Sequence, residues 1–179
     1  MSTSGSHERT DRHLVIGAGF SGLGVAAAFQ RHGVPFDIVE ADRSLGGNWF
    51  HGVYETVHII SSRKTTEYSD YPMPADWPDF PSAAQMLEYL RSYAAHWKLD
   101  QKIELETPVE RVAPLSGDTW EVTFAGGERR IYGGVVVANG HHWDKRWPEY
   151  PGRLECELIH SKDYKSPEIL RGKRVLVIG

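Results

Sequence analysis

The chain has 179 residues, 40% of them apolar, and its 24 acidic and 20 basic residues give a formal net charge of -4. This balance predicts a globular domain and excludes the basic surface of a protein that binds nucleic acid or an acidic membrane. The single cysteine, Cys156, excludes an internal disulfide, a CxxC redox pair and a cysteine-built metal cluster. Residues 1–12 lack the apolar core of a secretory signal, and no long uncharged stretch could cross a bilayer. We therefore expect a frayed tail over 1–12 and a cytoplasmic location.

The first ordered elements follow this tail. A short apolar run, Leu14 to Ile16, stops at Gly17, and an alanine-rich segment over 22–31 is apolar on all sides, as a helix packed on a sheet would be. After a glycine and a proline, residues 36–39 have the composition of a second strand. The order strand, helix, strand predicts a βαβ unit and a parallel sheet.

The second half of the chain predicts one more helix and several strands. Ser82 is a plausible N-cap for a helix over 84–97, whose apolar residues recur at helical spacing. Residues 102–105 and 108–112 indicate strand fragments, and 120–124 with 129–132 indicate a hairpin. Gly133 and Gly134 then open an apolar run over 135–138 that is typical of a buried parallel strand. The predicted fold class is therefore α/β, Rossmann-like, with a small antiparallel hairpin insertion.

The turn between the first strand and the helix has the pattern G-x-G-x-x-G, which is typical of dinucleotide binding. The first glycine would turn the chain tightly, the second would leave room for a pyrophosphate, and the third would let helix and strand pack closely. Amide groups and the helix dipole would offset the phosphate charge. The candidate cofactor-binding residues here are Gly17, Ala18, Gly19, Phe20, Ser21 and Gly22.

Glu40 closes the second strand at the distance that this pattern requires. Its carboxylate can accept hydrogen bonds from both ribose hydroxyls of an adenosine, and it would repel a 2′-phosphate. The site is therefore expected to hold FAD or NAD rather than NADP. The alternative is that these are turn and packing glycines of an unrelated α/β protein, with Glu40 as a surface acid at the end of a strand.

Shortly after Glu40 comes the sequence Leu45-Gly46-Gly47-Asn48-Trp49. Together with the glycine pattern it resembles the flavoprotein monooxygenase superfamily, in which a GG-x-W turn wraps the FAD. The resemblance implies that Gly47, Asn48 and Trp49 contact this cofactor. Taken alone, the segment is better explained as a glycine turn with a core tryptophan.

Two later segments resemble the flavin-containing monooxygenase family more narrowly. Residues 148–152 resemble its P-x-x-P-G motif, and residues 154–164 resemble F-x-G-x-x-x-H-x-x-x-Y, with Leu154 and Cys156 replacing the phenylalanine and glycine. The resemblance implies that His160 holds a linker between two domains, with a role as general base as the less favoured alternative. Tyr164 favours the N- and S-oxidising branch, because related Baeyer–Villiger monooxygenases have tryptophan there.

The same resemblance implies further cofactor contacts. Val109 occupies the position whose backbone pairs with adenine, although plain strand packing would explain it too. Asn139 and Gly140 resemble the A-T-G segment near the end of the FAD-binding region, with Asn139 in place of threonine. Ile60 stands where the family usually has an asparagine facing the flavin, and Ser61 could partly substitute for it.

A short repeat links the two ends of the chain, HLVIG at residues 13–17 and VLVIG at residues 175–179. We interpret residues 173–179 as the first strand of a second, NADPH-binding domain that is cut off. This interpretation makes residues 13–147 the FAD-binding domain and residues 148–172 a linker. The chain would then be part of a flavoprotein with two dinucleotide-binding domains, and we expect it to be inactive alone.

The resemblance implies an enzyme that uses FAD, NADPH and O₂ to oxygenate a small amine or sulfide through a flavin hydroperoxide. The cofactor carries this chemistry, so no catalytic side chain or metal ligand is predicted. His141 and His142 are adjacent and lack a third ligand. A disulfide reductase is excluded by the single cysteine. The alternatives are a Baeyer–Villiger monooxygenase and a non-catalytic FAD or NAD carrier; a plain NAD dehydrogenase would have no use for the later motifs.

Overall fold

The computed structural model describes residues 7–141 and 144–178, and its centre is a six-stranded mixed sheet. The strand order is β3-β2-β1-β6-β5-β4, with β3, β2, β1 and β6 parallel and β5 and β4 antiparallel. The predicted parallel start and antiparallel hairpin are thus confirmed. The strands are β1 (His7–Ile16), β2 (Phe36–Val39), β3 (Ile103–Glu104), β4 (Val109–Leu115), β5 (Thr119–Phe124) and β6 (Arg129–Val137).

In the described part of the chain, three α-helices accompany the sheet: α1 (Phe20–Arg31), α2 (Arg63–Thr66) and α3 (Ala83–His96). Helix α1 connects β1 to β2, which completes the predicted βαβ unit, and it begins two residues before the expected start. The prediction of Ser82 as N-cap of the next long helix is confirmed. The Ser82 hydroxyl accepts a hydrogen bond from the Gln85 amide at 3.4 Å, and the Gln85 side chain accepts one from the Ser82 amide at 3.0 Å.

Successive residues of β1 face opposite sides of the sheet, so each side has its own core. Val15 packs with the apolar faces of α1 and α3, whereas Leu14 packs with residues of β5 and β6 such as Val122 and Tyr132. Leu14 and Val15 are both fully buried. The carboxyl end of β1, which carries the glycine pattern, is therefore held between two packed layers.

The expected frayed tail over 1–12 is wrong for residues 7–12, which form the first half of β1. These polar residues are held by charge pairing and not by an apolar run. Arg9 Nη1 donates to Asp37 Oδ2 at 2.5 Å, and Arg12 Nε donates to Asp37 Oδ1 at 2.8 Å. The Tyr132 hydroxyl also donates to Asp37 at 3.1 Å. Residues 1–6 lie outside the described residues.

The hairpin arm over 129–132 and the strand over 135–138 were expected to be separate, yet they form the single strand β6. The glycines between them do not break the strand, because they allow β1 to approach closely. A Cβ at Gly133 would lie 2.3 Å from the Thr10 carbonyl oxygen, and one at Gly134 would lie 2.5 Å from the His13 ring. Glycine is needed here beside the register shift between Arg9 and His13.

Residues 144–178 contain two short 3-10 helices, Ser161–Asp163 and Pro167–Leu170, and no strand. The strand expected at the end of the chain is therefore not formed by residues 173–178, and Leu176 is 83% exposed. Gly179 lies outside the described residues.

Candidate flavin-binding cleft

A cleft of about 330 Å³ opens where the parallel strands β1, β2 and β6 end. This is the edge at which open α/β sheets bind ligands. Most of the residues predicted from the sequence line it: Gly17, Gly19, Phe20, Ser21, Glu40, Gly47, Asn48, Trp49, Val109, Asn139 and Gly140. Ala18 and Gly22 are buried beside it, and Ile60 and Ser61 are not part of its lining.

The three glycines of the pattern differ in what surrounds them. Gly17 has φ +102°, and a Cβ there would lie 2.5 Å from the Ala138 carbonyl oxygen. A Cβ at Gly22 would lie only 1.8 Å from the Gly17 carbonyl oxygen. Gly19 is different, because the nearest atom to its Cβ would be the Gly47 Cα at 3.6 Å, an ordinary contact. Gly17 and Gly22 are therefore required by the fold, whereas Gly19 leaves space that the protein itself does not use.

Helix α1 points its first turn at this space. Gly19 is the N-cap and has no side chain with which to cap the helix, and the described first turn contains no acidic residue. The first amide groups of an α-helix have no partner within the helix, and the helix dipole makes this end positive. The arrangement suits a phosphate or diphosphate group.

Glu40 is 7% exposed and lies at the end of β2 beside the cleft. Its Oε2 accepts a hydrogen bond from the Ala18 amide at 2.7 Å, and its Oε1 accepts one from the Asp42 amide at 3.0 Å. The carboxylate thus holds the glycine turn against the strand end. Each oxygen has a further lone pair with which it can accept a hydrogen bond from a ribose hydroxyl.

The second glycine segment forms the opposite wall. The Gly46 amide donates to the Ala18 carbonyl at 3.0 Å, and a Cβ at Gly47 would lie 3.2 Å from the Gly19 Cα, so the two glycine segments are in close contact. A π-helical turn, Asn48–Gly52, follows directly and carries Trp49 into the lining. Gly46 has φ +123° and packs under Leu87 of α3, which fixes the position of this wall.

An aromatic stack supports Phe20 from behind, and sequence reasoning missed it. The Tyr68 ring lies 4.4 Å from the Phe20 ring and 3.9 Å from the Tyr93 ring, and the Tyr68 hydroxyl donates to the Phe20 carbonyl. The Tyr89 hydroxyl accepts from the Tyr68 amide at 2.8 Å. Burial raises the pKa of Tyr68 above its usual range, and burial raises the pKa of Tyr89 to about 12, so both remain neutral donors. Tyr89 and Tyr93 lie on α3, where helical spacing indicates only core packing, and no local pattern marks Tyr68 as their partner.

The floor of the cleft beyond Glu40 comes from the segment before β4. The Thr107 amide donates to the Glu40 carbonyl at 2.8 Å, which brings Thr107 and Pro108 into the lining beside Val109. Sequence reasoning found Val109 alone, because nothing local indicates that its neighbours pair with the end of β2. On the β6 side, Gly140 has φ +74° and follows Asn139 at the rim.

Four predicted residues lie away from the cleft. Ile60 is 98% exposed, and the Ser61 hydroxyl is 2.7 Å from the Thr66 hydroxyl. His160 accepts a hydrogen bond from the Lys162 amide at 3.1 Å and packs edge-on against Trp147. The Tyr164 ring lies 5.3 Å from the Tyr54 ring, next to the π-helical turn. The roles assigned to these four residues therefore stay predictions.

Within residues 7–141 and 144–178, no cluster of three or more histidine, cysteine, aspartate or glutamate side chains could hold a metal ion. His142 lies outside the described residues. No described helix combines the length and the apolar character needed to span a bilayer.

Comparison with known proteins gives a consistent family. The flavin-binding monooxygenase-like family model matches residues 10–179. Flavin-containing monooxygenase 5 of Oryctolagus cuniculus is 35% identical over 94% of this chain and 35% of its own length. Indole-3-pyruvate monooxygenase YUCCA1 of Oryza sativa subsp. japonica is 32% identical over 93% of this chain and 41% of its own length.

Among solved structures, S-allyl-L-cysteine S-oxygenase from Allium sativum superposes with a TM-score of 0.82 and 26% identity over 90% of this chain and 44% of that chain. The present chain thus spans less than half of the length of each of these relatives. The family match, the relatives and the glycine-lined cleft agree: the chain belongs to the flavin-binding monooxygenase-like family, whose members are enzymes.

Proposed function

We propose that this chain forms the FAD-binding part of an NADPH-dependent monooxygenase that transfers one oxygen atom of O₂ to the nitrogen or sulfur of a small molecule. The observation that carries the proposal is the open space at Gly19, between an uncapped helix start and the Gly46-Gly47 wall. Bound FAD would supply the redox chemistry that activates O₂. The residues of the chain would bind and orient it.

Each wall of the cleft has a defined task in this proposal. The amide groups at the start of α1 would hold the diphosphate. Glu40 would accept hydrogen bonds from the ribose, and Val109 would lie at the adenine. Gly47, Asn48 and Trp49 would contact the far part of the cofactor, and Asn139 and Gly140 would close the rim. These assignments are supported by the lining of the cleft.

The finer choice of reaction is supported by one residue and one relative. Tyr164 is the residue type that the N- and S-oxidising branch has at this position, and the Allium sativum neighbour is named as an S-oxygenase. A Baeyer–Villiger reaction is less favoured, because cyclohexanone monooxygenase is 24% identical to this chain and supports the shared fold alone.

The same proposal divides the chain into three parts. These are an FAD-binding domain over 13–147, a linker over 148–172 and the beginning of an NADPH-binding domain over 173–179. Residues 7–141 and 144–178 contain one strand–glycine–helix unit with a complete helix, the unit at α1. We therefore propose that the chain alone binds FAD and does not use NADPH. A non-catalytic FAD carrier is the second candidate, favoured by the apolar, exposed Ile60 where the family usually has a polar residue.

The test is a titration of the purified chain with FAD, FMN and NAD, followed by quenching of flavin fluorescence and, for NAD, by calorimetry. We expect FAD to bind and FMN to bind far more weakly, since FMN lacks the diphosphate and the adenosine that the described walls fit. If FAD does not bind, or FMN binds as tightly as FAD, the proposal is wrong. Rapid reduction of the FAD-loaded chain by NADPH would contradict the part that concerns the isolated chain.

A further inference from the structure

We infer that Lys165 is a positioning residue for the flavin-binding cleft. Its side chain connects the segment Tyr164–Lys165–Ser166 to the π-helical turn Asn48–Gly52 and fixes that turn. We call residues 164–166 the strap. The inference rests on the proposed function and assigns a role to a residue that lines no part of the cleft.

The Lys165 side chain caps the carboxyl end of the turn. Lys165 Nζ donates to the carbonyl oxygen of His51 at 3.0 Å and to that of Gly52 at 2.9 Å. These are the last two carbonyls of the turn, beyond which it has no further residue to supply an amide partner. An ammonium group at the carboxyl end of a helical turn satisfies such carbonyls and opposes the negative end of the dipole.

The backbone of the strap is itself fixed by contacts with Tyr54 and Glu55. The Glu55 amide donates to the Lys165 carbonyl at 2.9 Å, and the Ser166 hydroxyl donates to Glu55 Oε1 at 2.7 Å. Tyr164 packs its ring against Tyr54. The lysine is therefore presented to the turn from a segment that is bound on both sides of it, although it lies more than a hundred residues away in sequence.

Backbone hydrogen bonds connect the capped end of the turn to the cleft. The Val53 amide donates to the Asn48 carbonyl at 3.1 Å, and the Phe50 amide donates to the Gly47 carbonyl at 3.0 Å. Gly47 and Asn48 are in the lining. Because the turn is only five residues long, we expect a shift at Gly52 to move Asn48 as well.

Other contacts of the turn lie elsewhere on it: the Arg43 guanidinium lies 5.7 Å from the Phe50 ring, and Trp49 packs against the core on the α1 side of the sheet. His51 Nε2 lies 3.1 Å from Asp42 Oδ2, and Leu87 packs on Gly46 before the turn begins. Neither reaches the carbonyls of His51 and Gly52. Lys165 therefore holds the carboxyl end of the turn, which these contacts do not reach. Its loss should shift the position of Asn48 in the wall without unfolding the domain.

The experiment compares Lys165→Met, Lys165→Arg and Lys64→Met in the full chain. Lys64 is an exposed lysine outside the turn whose ammonium group is paired with Glu67 at 3.4 Å, and it controls for loss of a surface charge. We expect Lys165→Met to weaken FAD binding about three- to tenfold and to change the visible circular dichroism of the FAD that remains bound. Lys165→Arg should restore both, and Lys64→Met should change neither. Ser166→Ala should act in the same direction as Lys165→Met with a smaller effect.

Coupling between the strap and the cofactor is reciprocal, so FAD should also act on the strap. Addition of FAD should slow hydrogen exchange of the Glu55 amide in the original chain and slow it less in Lys165→Met. Unchanged affinity, circular dichroism and exchange in Lys165→Met would overturn the inference while FAD binding by the original chain stands. A lower melting temperature alone, with unchanged circular dichroism, would make Lys165 merely structural and overturn it too. Failure of the original chain to bind FAD would instead refute the proposed function.

Discussion

The two copies of the repeat, HLVIG at residues 13–17 and VLVIG at residues 175–179, have nearly the same sequence, and their described residues have opposite environments. In the first copy, Leu14 and Val15 are fully buried at the centre of the sheet. In the second copy, Leu176 and Val177 are 83% and 80% exposed and belong to no strand. The difference shows that an apolar run becomes a strand only where neighbouring strands and a helix are present to bury it.

The rest of the chain supplies the first copy with neighbouring strands and a covering helix. The described part of the second copy has no such neighbours. β2 and β6 pair with β1 on either side, and α1 covers the face that Val15 presents. The glycine turn is useful only in this setting, because Glu40 and the start of α1 come from those same partners. A binding site is therefore a property of the completed βαβ unit and not of its glycine pattern.

The largest expected effect is a difference in the free energy of unfolding between matched variants of the two copies. Leu14→Ala should lower the free energy of unfolding by about 2–5 kcal/mol, since it leaves a cavity in a packed core. Leu176→Ala should change it by less than about 0.5 kcal/mol, since that side chain is exposed in this chain. Urea unfolding followed by tryptophan fluorescence measures both. Equal losses in the two variants would show that the second copy is buried after all.

A second, smaller effect concerns the polar half of β1. Asp37→Asn should lower the free energy of unfolding by on the order of 1–3 kcal/mol, because Arg9 and Arg12 lose a charged acceptor. Thermal denaturation at neutral pH measures this loss. Glu8→Gln, which changes an exposed residue of the same strand, is the matched control and should have little effect.

The same pairing predicts a pH dependence. Burial alone would raise the pKa of Asp37, yet the hydrogen bonds from Arg9 and Arg12 lower it below its ordinary value of 3.8. A carboxyl whose pKa is lowered on folding contributes stability above its unfolded pKa and loses it as the pH falls through the folded pKa. The stability difference between the original chain and Asp37→Asn should thus be constant near neutral pH and shrink below about pH 4. A difference that grows on acidification would contradict this pairing.

The sequence predicted the secondary structure and the site residues of some regions better than those of others. Apolar periodicity and glycine spacing predicted the βαβ unit, Ser82 as a helix cap, and Gly19 and Glu40 beside the cleft. Periodicity could not find residues 7–12, because charge pairs with Asp37 hold them. It also separated β6 into two strands, since Gly133 and Gly134 resemble a break when their close contact with β1 is unknown.

Contacts between distant segments were equally hidden from the sequence. Tyr68 supports Phe20 across forty-eight residues, and Lys165 caps a turn from more than a hundred residues away. No local pattern marks either residue, because each acts through a backbone carbonyl that any residue could provide. Such support is visible only once the chain is folded.

The central claim is that the space at Gly19 is reserved for a diphosphate, and FAD binding by Gly19→Ala tests it most directly. The backbone at Gly19 has φ -86°, which alanine adopts readily, and the added Cβ meets the protein only at 3.6 Å. The variant should therefore keep its stability within about 1 kcal/mol. It should lose FAD affinity by roughly 10- to 100-fold, because the Cβ overfills the space that the ligand needs. The control Gly33→Ala, at the other end of α1, should be less stable because of its φ of +67°, yet bind FAD normally. Unchanged FAD affinity in a folded Gly19→Ala chain would contradict the account.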